Sequence, residues 1–507
     1  MTLRVYNTLS QQKELFQTVR PGKVGMYLCG PTVYKSPHIG HMVGPVIFDA
    51  IKRYLQFKGY EVTWVVNITD VDDKLIDAAA RLGTNVKDLA EKHTDEYHEC
   101  LAALGVTSID HFPRATDHIA EILDLCQTLI NRGFAYAADG NVWFDITKDS
   151  DYGKLSHQTA EEQEASGEGE SAGKRNKRDF ALWKAAKPGE IAWDSSWGKG
   201  RPGWHIECSA MAMKILGPTF DIHGGGMDLK FPHHENEVAQ SESATGQPFA
   251  KYWLHNGLTK FNTKKISGSD MFAGGEAAKA LAAVAAKKLI AEHGAQVLRY
   301  LLLSSHYRRP IDFTDVAIAD TRKAIATFHR LFDRITRLTA GHPPVPHGTE
   351  GVAADMDRVS ASLLGGPHAA YAKAVLALKM KFLEMMDDDF NTAGAIAALH
   401  ELAGEVNAFL EKNDAEKVKP QDVIVAAAAG VQTLRNLGDI LCLFSLESTK
   451  PAADEGLAGK LMGLLIQLRA NARTSKNFAL ADDIRKGLTA IGVTLEDGPE
   501  GTRWRKD

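Results

Sequence analysis

The chain has 507 residues, 44% hydrophobic and 24% charged, with a formal net charge of −5; that length predicts roughly two to four domains. The balance argues against a generally basic nucleic-acid coat while leaving room for a local basic groove. No apolar run reaches the ~20 residues of a membrane span, and the Met1–Asn7 start shows no basic region followed by an apolar stretch, so a cytoplasmic chain without a secretory signal is expected.

Taken in chain order, residues 24–30 form a short apolar run closed by Gly30-Pro31, which predicts a buried strand and a turn. A helical pattern follows from about Ile39 to Lys58, then a second strand over Glu61–Asn67, rich in β-branched and aromatic residues. Strand, helix and strand at this spacing make a βαβ unit, hence a doubly wound parallel sheet of Rossmann type. Residues 74–136 read mostly as helices with stops at Gly105 and Gly133. The polar segment 160–178, acidic first and basic last, reads as a mobile surface loop. Residues 191–262 carry short strand-like pieces among Trp, Gly and His. Ala-rich helical patterns start near Glu276 and run to about Phe444, broken at Gly341–Gly351. The last fifty or so residues read as a compact appendage of helices and short strands. Five scattered cysteines do not suggest a disulfide framework; Cys100 and Cys126 fall in helical patterns and read as inert thiols.

Two clusters carry chemistry. His38-Ile39-Gly40-His41 opens the first long helix just after the first strand. A helix N-terminus offers free N–H groups and partial positive charge to a polyphosphate, Gly40 admits close approach, and the imidazoles add donors. Such a pair in isolation reads better as two surface histidines; its place at the carboxyl edge of a parallel sheet favours a ligand. The second cluster spans Gly200–Met211 and Asp221–Glu237. Pro232 suits the first turn of a helix, on which His233 and Glu237 share a side. Each of these features also has a plain reading, as a surface pair or as ordinary buried thiols at Cys29 and Cys208.

The segment Cys29-Gly-Pro-Thr-Val-Tyr-Lys-Ser-Pro-His-Ile-Gly-His41 resembles the HIGH region of class I aminoacyl-tRNA synthetases, and of the cysteine-specific family in particular. Lys265-Ile-Ser-Gly-Ser269 is similar to the KMSKS motif, with Gly268 where the second lysine is expected; Lys264 is the neighbouring cation that could substitute. The resemblance extends to Leu301–Phe313, Asp388–Thr392, Phe478–Arg485 and Gly501–Arg505, nearly the whole chain. It implies a Rossmann-type catalytic domain over 1–257 with an insertion near 105–200, and a KMSKS-like connector over 258–310. A helical-bundle tRNA-binding domain over 311–448 and a small anticodon-binding domain over 449–507 would follow. It also implies a cysteine–tRNA ligase acting on ATP, L-cysteine and tRNA(Cys); a monomer is the default expectation. Zn²⁺ would be held by Cys29, Cys208, His233 and Glu237, and Mg²⁺ would accompany ATP. His38, His41, Lys264 and Lys265 would serve catalysis, with Gly30, Thr32, Gly40 and Gly225 also at the nucleotide. Thr69, Trp204, His223 and Asp228 would meet the amino acid, and His234 would orient a neighbour or touch substrate.

Zinc makes chemical sense here, because cysteine and serine differ by one atom and a thiolate is much the better zinc ligand. Arginines beside Trp504 suit stacking on unpaired bases, or Trp504 anchors its own domain. Three rivals stand beside this reading: a ligase passing cysteine to a small amine, a non-catalytic relative suggested by Gly268, and a generic nucleotidyl transferase. The long helical C-terminal half argues against the first, and the metal-type cluster against the last.

Overall fold

A computed structural model describes residues 2–159, 162, 173–261, 264–265, 283–340, 366–446, 455–490, 492–498 and 501–506. Most of the polar 160–178 segment, Gly268 and Gly341–Gly351 lie outside these residues. The chain forms two compact units, Met1–Glu447 and Ser448–Asp507, so the boundaries expected near 257 and 310 fall inside the first.

The first unit opens with a hairpin, β1 (Arg4–Asn7) and β2 (Gln12–Leu15). The predicted βαβ unit follows as β3 (Lys23–Leu28), α1 (Ile39–Phe57) and β4 (Glu61–Val66). Both strands pair in parallel, Leu28 opposite Val66. Val24, Met26, Tyr27 and Leu28 are buried, as are Val62, Trp64, Val65 and Val66. Continuous apolar burial of this kind belongs to a parallel sheet covered on both faces. After α2 (Asp73–Leu82), α3 (Val86–Ala103) and α4 (Ile119–Asn131) comes a separate antiparallel sheet. Its strands are β5 (Ala135–Ala138), β6 (Asn141–Phe144), β7 (Phe180–Ala185) and β8 (Gly200–Pro202), in that order.

The chain then returns to the parallel sheet through α5 (Trp204–Leu216), β9 (Phe220–Gly226), α6 (Glu235–Thr245) and β10 (Ala250–Asn256). The strand order is β10-β9-β3-β4, every pair parallel. The short strands expected over 191–262 are present as β8, β9 and β10, but helix α5 lies among them unforeseen: His205 to Ala212 are all buried, and a helix buried all round shows no amphipathic period.

A small sheet joins β11 (Thr259–Phe261) to β12 (Lys264–Lys265) and to β13 (Ile311–Phe313), with α7 (Ala286–His293) and α8 (Ala295–Leu303) between them in sequence. Helices α9 (Asp315–Thr339), α10 (Ala369–Asp387), α11 (Thr392–Lys412) and α12 (Gln421–Ile440) complete the unit. The fully buried Arg299 reaches the carbonyls of Leu104 and Leu441 and the Asp49 carboxylate on α1. That buried ion pair ties α1 to the helical half.

The second unit consists of α13 (Glu455–Thr474), α14 (Phe478–Ala490) and a hairpin, β14 (Val493–Gly498) with β15 (Gly501–Lys506). Met462, Leu488 and Leu495 form its small core. Trp504 is 42% exposed.

Candidate active site

At the carboxyl end of β3 the chain turns through Gly30, whose N–H donates to Asn67 Oδ1 at 2.8 Å. Thr32 forms a parallel bridge with Thr69 beyond β4. His38 is the extended residue that precedes α1. Its backbone N–H donates to His41 Nδ1 at 3.3 Å, and the two rings stack at 3.7 Å with 24° between their planes. With Nδ1 of a neutral His41 accepting, its proton sits on Nε2, free to donate to a ligand. Burial pushes the His38 pKa down to about 4, with the charge of Lys35 adding to the effect. His41 is pushed well down by burial, then by His38 and Lys35. Both imidazoles are therefore neutral donors near neutral pH. A Cβ at Gly40 would lie 2.9 Å from the His38 ring, so a side chain there would displace that imidazole.

The strand β9 and the helices on either side of it assemble the second cluster. Lys230–His234 is a π-type turn interrupted at Phe231, which has an extended backbone, and it runs straight into α6. His233 Nε2 is 3.2 Å from Glu237 Oε1, one helical turn on. From α5, Cys208 Sγ lies 3.5 Å from His233 Nε2. Cys29 Sγ, at the end of β3, is 3.8 Å from Cys208 Sγ and 3.4 Å from Glu237 Oε1. The hydrogen bond from Cys29 lowers Cys208 to about 6, whereas burial pushes Cys29 well up.

One donor atom from each of Cys29, Cys208, His233 and Glu237 lies within 4.8 Å of the others. Two sulfurs, one imidazole nitrogen and one carboxylate oxygen make a donor set that fits a tetrahedral zinc ion. An alternative set replaces Cys208 and His233 with His223 and His234. Only the first offers a substrate access to most of its donors: Cys29, Cys208 and His233 line a cavity of about 350 Å³, and His223, His234 and Glu237 do not.

That cavity brings together most of the residues singled out in the sequence. Gly30, Thr32, His38, Gly40 and His41 line it, as do Gly225, Thr69, Trp204 and Asp228. Trp204 stacks on His233 at 4.3 Å. His223 is placed differently from expectation. It is fully buried behind the wall, with Nε2 2.9 Å from Glu237 Oε2 and its ring stacked on Trp253 at 4.2 Å. The Glu237 carboxylate takes it away from the amino-acid side. A Cβ at Gly225 would come within 2.6 Å of His234. Lys264 and Lys265 pair through their backbones with Phe261 and Lys260, extending β11 into a hairpin. The remainder of the KMSKS-like segment lies outside the described residues. Where the described chain resumes at residue 283, the Val284 carbonyl accepts from Ile39 N–H at 2.9 Å and Ala286 N–H donates to the Pro37 carbonyl at 2.9 Å.

Sequence reasoning missed the supporting histidines. His205 Nδ1 is 2.9 Å from His233 Nδ1, and His255 Nε2 is 2.8 Å from His234 Nδ1. His255 in turn reaches Thr8 Oγ1 at 2.9 Å. A histidine-rich stretch was visible, but which histidines meet depends on strand pairing: His255 on β10 lies opposite Gly225 on β9. Asn67, Lys35 and Lys74 were also missed as cavity residues.

Residues 15–323 match the family model of the tRNA synthetases class I (C) catalytic domain, and residues 381–445 that of the DALR domain. The chain is 44% identical to the "Cysteine--tRNA ligase" of Geobacillus sp. (strain WCH70), covering 100% of this chain and 99% of that protein. It is 45% identical to the protein of the same name from Anoxybacillus flavithermus, covering 100% of both. Among solved structures, methionyl-tRNA synthetase of Mycobacterium tuberculosis with methionyl-adenylate aligns with a TM-score of 0.56 at 17% identity. It covers 88% of this chain and 94% of that one. At that identity the likeness speaks to the fold.

Proposed function

The chain belongs to the cysteine–tRNA ligases, a class I aminoacyl-tRNA synthetase family, and from that premise we propose which residues carry each part of the reaction. As a ligase of this family it joins cysteine to tRNA at the expense of ATP. Cys29, Cys208, His233 and Glu237 would hold a zinc ion, whose chemistry is to bind a thiolate far better than a neutral hydroxyl. The observation that carries this reading is that the four donors cluster together and three of them, Cys29, Cys208 and His233, line the same cavity as His38 and His41.

Each remaining role follows from the side chain. Trp204 walls the amino-acid end and, stacked on His233, excludes larger substrates. Asp228 and Thr69 meet the ammonium and carboxylate groups. His38 and His41, neutral and pre-aimed, donate to phosphate oxygens whose charge grows as the cysteine carboxylate attacks the α-phosphorus. Gly30, Gly40 and Gly225 allow the nucleotide close to the backbone, and Thr32 meets it with a hydroxyl. Positioning and charge stabilisation supply the catalysis, as in other phosphoryl-transfer chemistry. The acyl group then passes to a ribose hydroxyl at the tRNA 3′ end. Mg²⁺ held by the phosphates, and a cytoplasmic monomer, complete the reading. No helix among the described residues is long and apolar enough to cross a membrane.

Pyrophosphate exchange and aminoacylation with cysteine and with serine, on zinc-loaded and zinc-stripped enzyme, test it. Cysteine-dependent exchange should need the ion, and serine should be a poor substrate. Full cysteine-dependent exchange by the stripped enzyme, with its preference over serine intact, would end the zinc assignment.

A further inference from the structure

The triphosphate of ATP is strongly anionic, yet the two imidazoles at the head of α1 are held neutral. They bring hydrogen bonds and little charge. Among the described residues that line the cavity, the lysines are Lys35 and Lys74, and there is no arginine. Lys74 is exposed at the start of α2. Lys35 is only 4% exposed and lies three residues before His38. Its ammonium sits 5.2 Å from the ring centre of Tyr34, another cavity residue. Lys35, His38 and His41 line the same cavity, and the Lys35 charge adds to the lowering of both imidazole pKa values, so the ammonium and the two donors act on a common volume. The Lys35 side chain is itself largely shielded from solvent, and a charge acts more strongly there than it would at the surface.

We propose that Lys35 is a catalytic residue that binds the triphosphate beside His38 and His41 and stabilises the departing pyrophosphate. This rests on the ligase reading above and adds a charge to it. In the activation step a cysteine carboxylate oxygen bonds to the α-phosphorus. The bond from that phosphorus to its bridging oxygen breaks, and the bridging oxygen leaves on pyrophosphate with the electron pair. Lys35 keeps its proton throughout; its positive charge is matched to the charge that accumulates on the leaving group. Arginine at this position would keep the charge in a different shape.

The test uses the full-length enzyme and two ligands: ATP, and a non-hydrolysable cysteinyl-adenylate analogue that lacks the β- and γ-phosphates. Lys35→Met should weaken ATP binding by about tenfold and hold analogue binding within about twofold in calorimetry. It should also slow cysteine-dependent pyrophosphate exchange, and Lys35→Arg should restore much of both. Lys35→Gln gives the same comparison if the methionine variant does not fold. A parallel loss of both ligands would assign Lys35 to structure alone, and unchanged ATP binding would remove it from the site; either result overturns the proposal. Wild-type enzyme without cysteine-dependent exchange would overturn the ligase reading itself, and this inference with it.

Discussion

The hydroxyl of Tyr307 donates to Asp389 Oδ1 at 2.8 Å, and both side chains are buried. The same carboxylate accepts from Tyr6 N–H at 2.8 Å and, through Oδ2, from Arg308 Nε at 2.8 Å. The Tyr307 carbonyl takes the Gly257 N–H at 2.7 Å, just before the strand that leads to Lys264 and Lys265. One carboxylate from the helical half thus fixes the connector at the rim of the active site.

Asp389→Ala should therefore destabilise the enzyme by about 3 kcal/mol, because buried donors lose their acceptor. Asp389 also sits at φ 62°, a conformation asparagine tolerates better than alanine. Asp389→Asn should recover part of the loss. Urea unfolding measures both; an alanine variant with wild-type stability would show that the network carries no energy.

Acid should weaken the fold through His38. Its folded pKa of about 4 lies below the unfolded value of 6.5, so the folded state resists protonation. The stability it contributes is present above pH 6.5 and is lost as pH falls toward 4, by up to roughly 3 kcal/mol. The urea midpoint should drop between pH 7 and pH 5, and less steeply in His38→Asn. Identical slopes for the two proteins would contradict the buried neutral imidazole.

The βαβ unit was legible because β3 and β4 are apolar on both faces and α1 has a clear start and stop. The HIGH-like histidines and most of the metal-type donors could be picked out by local pattern and by family resemblance. Helix α5 was not, since its buried run from His205 to Ala212 erases the polar stripe on which helix periodicity depends. His223 was also misplaced. The resemblance implied a role at the amino acid, whereas on strand β9 its ring turns to Glu237. Contacts such as His205 with His233 arise from the packing of α5 against the Lys230–His234 turn that enters α6, and leave no trace in spacing.

The hairpin that carries Lys264 and Lys265 is proposed to bring cationic charge to ATP, with Gly268 standing where a further lysine is expected. Replacing both lysines with alanine should lower the rate of cysteine-dependent pyrophosphate exchange by roughly a hundredfold. The zinc content should not change. A full exchange rate in the double variant would mean that the charge comes from elsewhere, with Lys35 the foremost candidate.

His223 gives the sharpest test of the metal assignment, because it is proposed to act on the ion only through Glu237. Its Nε2 is 2.9 Å from Glu237 Oε2, while the other oxygen, Oε1, faces Cys29 and His233. A hydrogen bond on one carboxylate oxygen orients the other toward a metal, and losing such a partner typically costs ten- to a hundredfold in affinity. His223→Ala should lower zinc affinity by about that factor in competition with a chromophoric chelator. His223→Gln, which keeps a donor, should lower it less. ATP binding should hold, since His223 lies behind the cavity wall and does not line it. Unaltered zinc affinity in the alanine variant would detach Glu237 from the ion, and a joint loss of zinc and ATP would point to collapse of the whole wall.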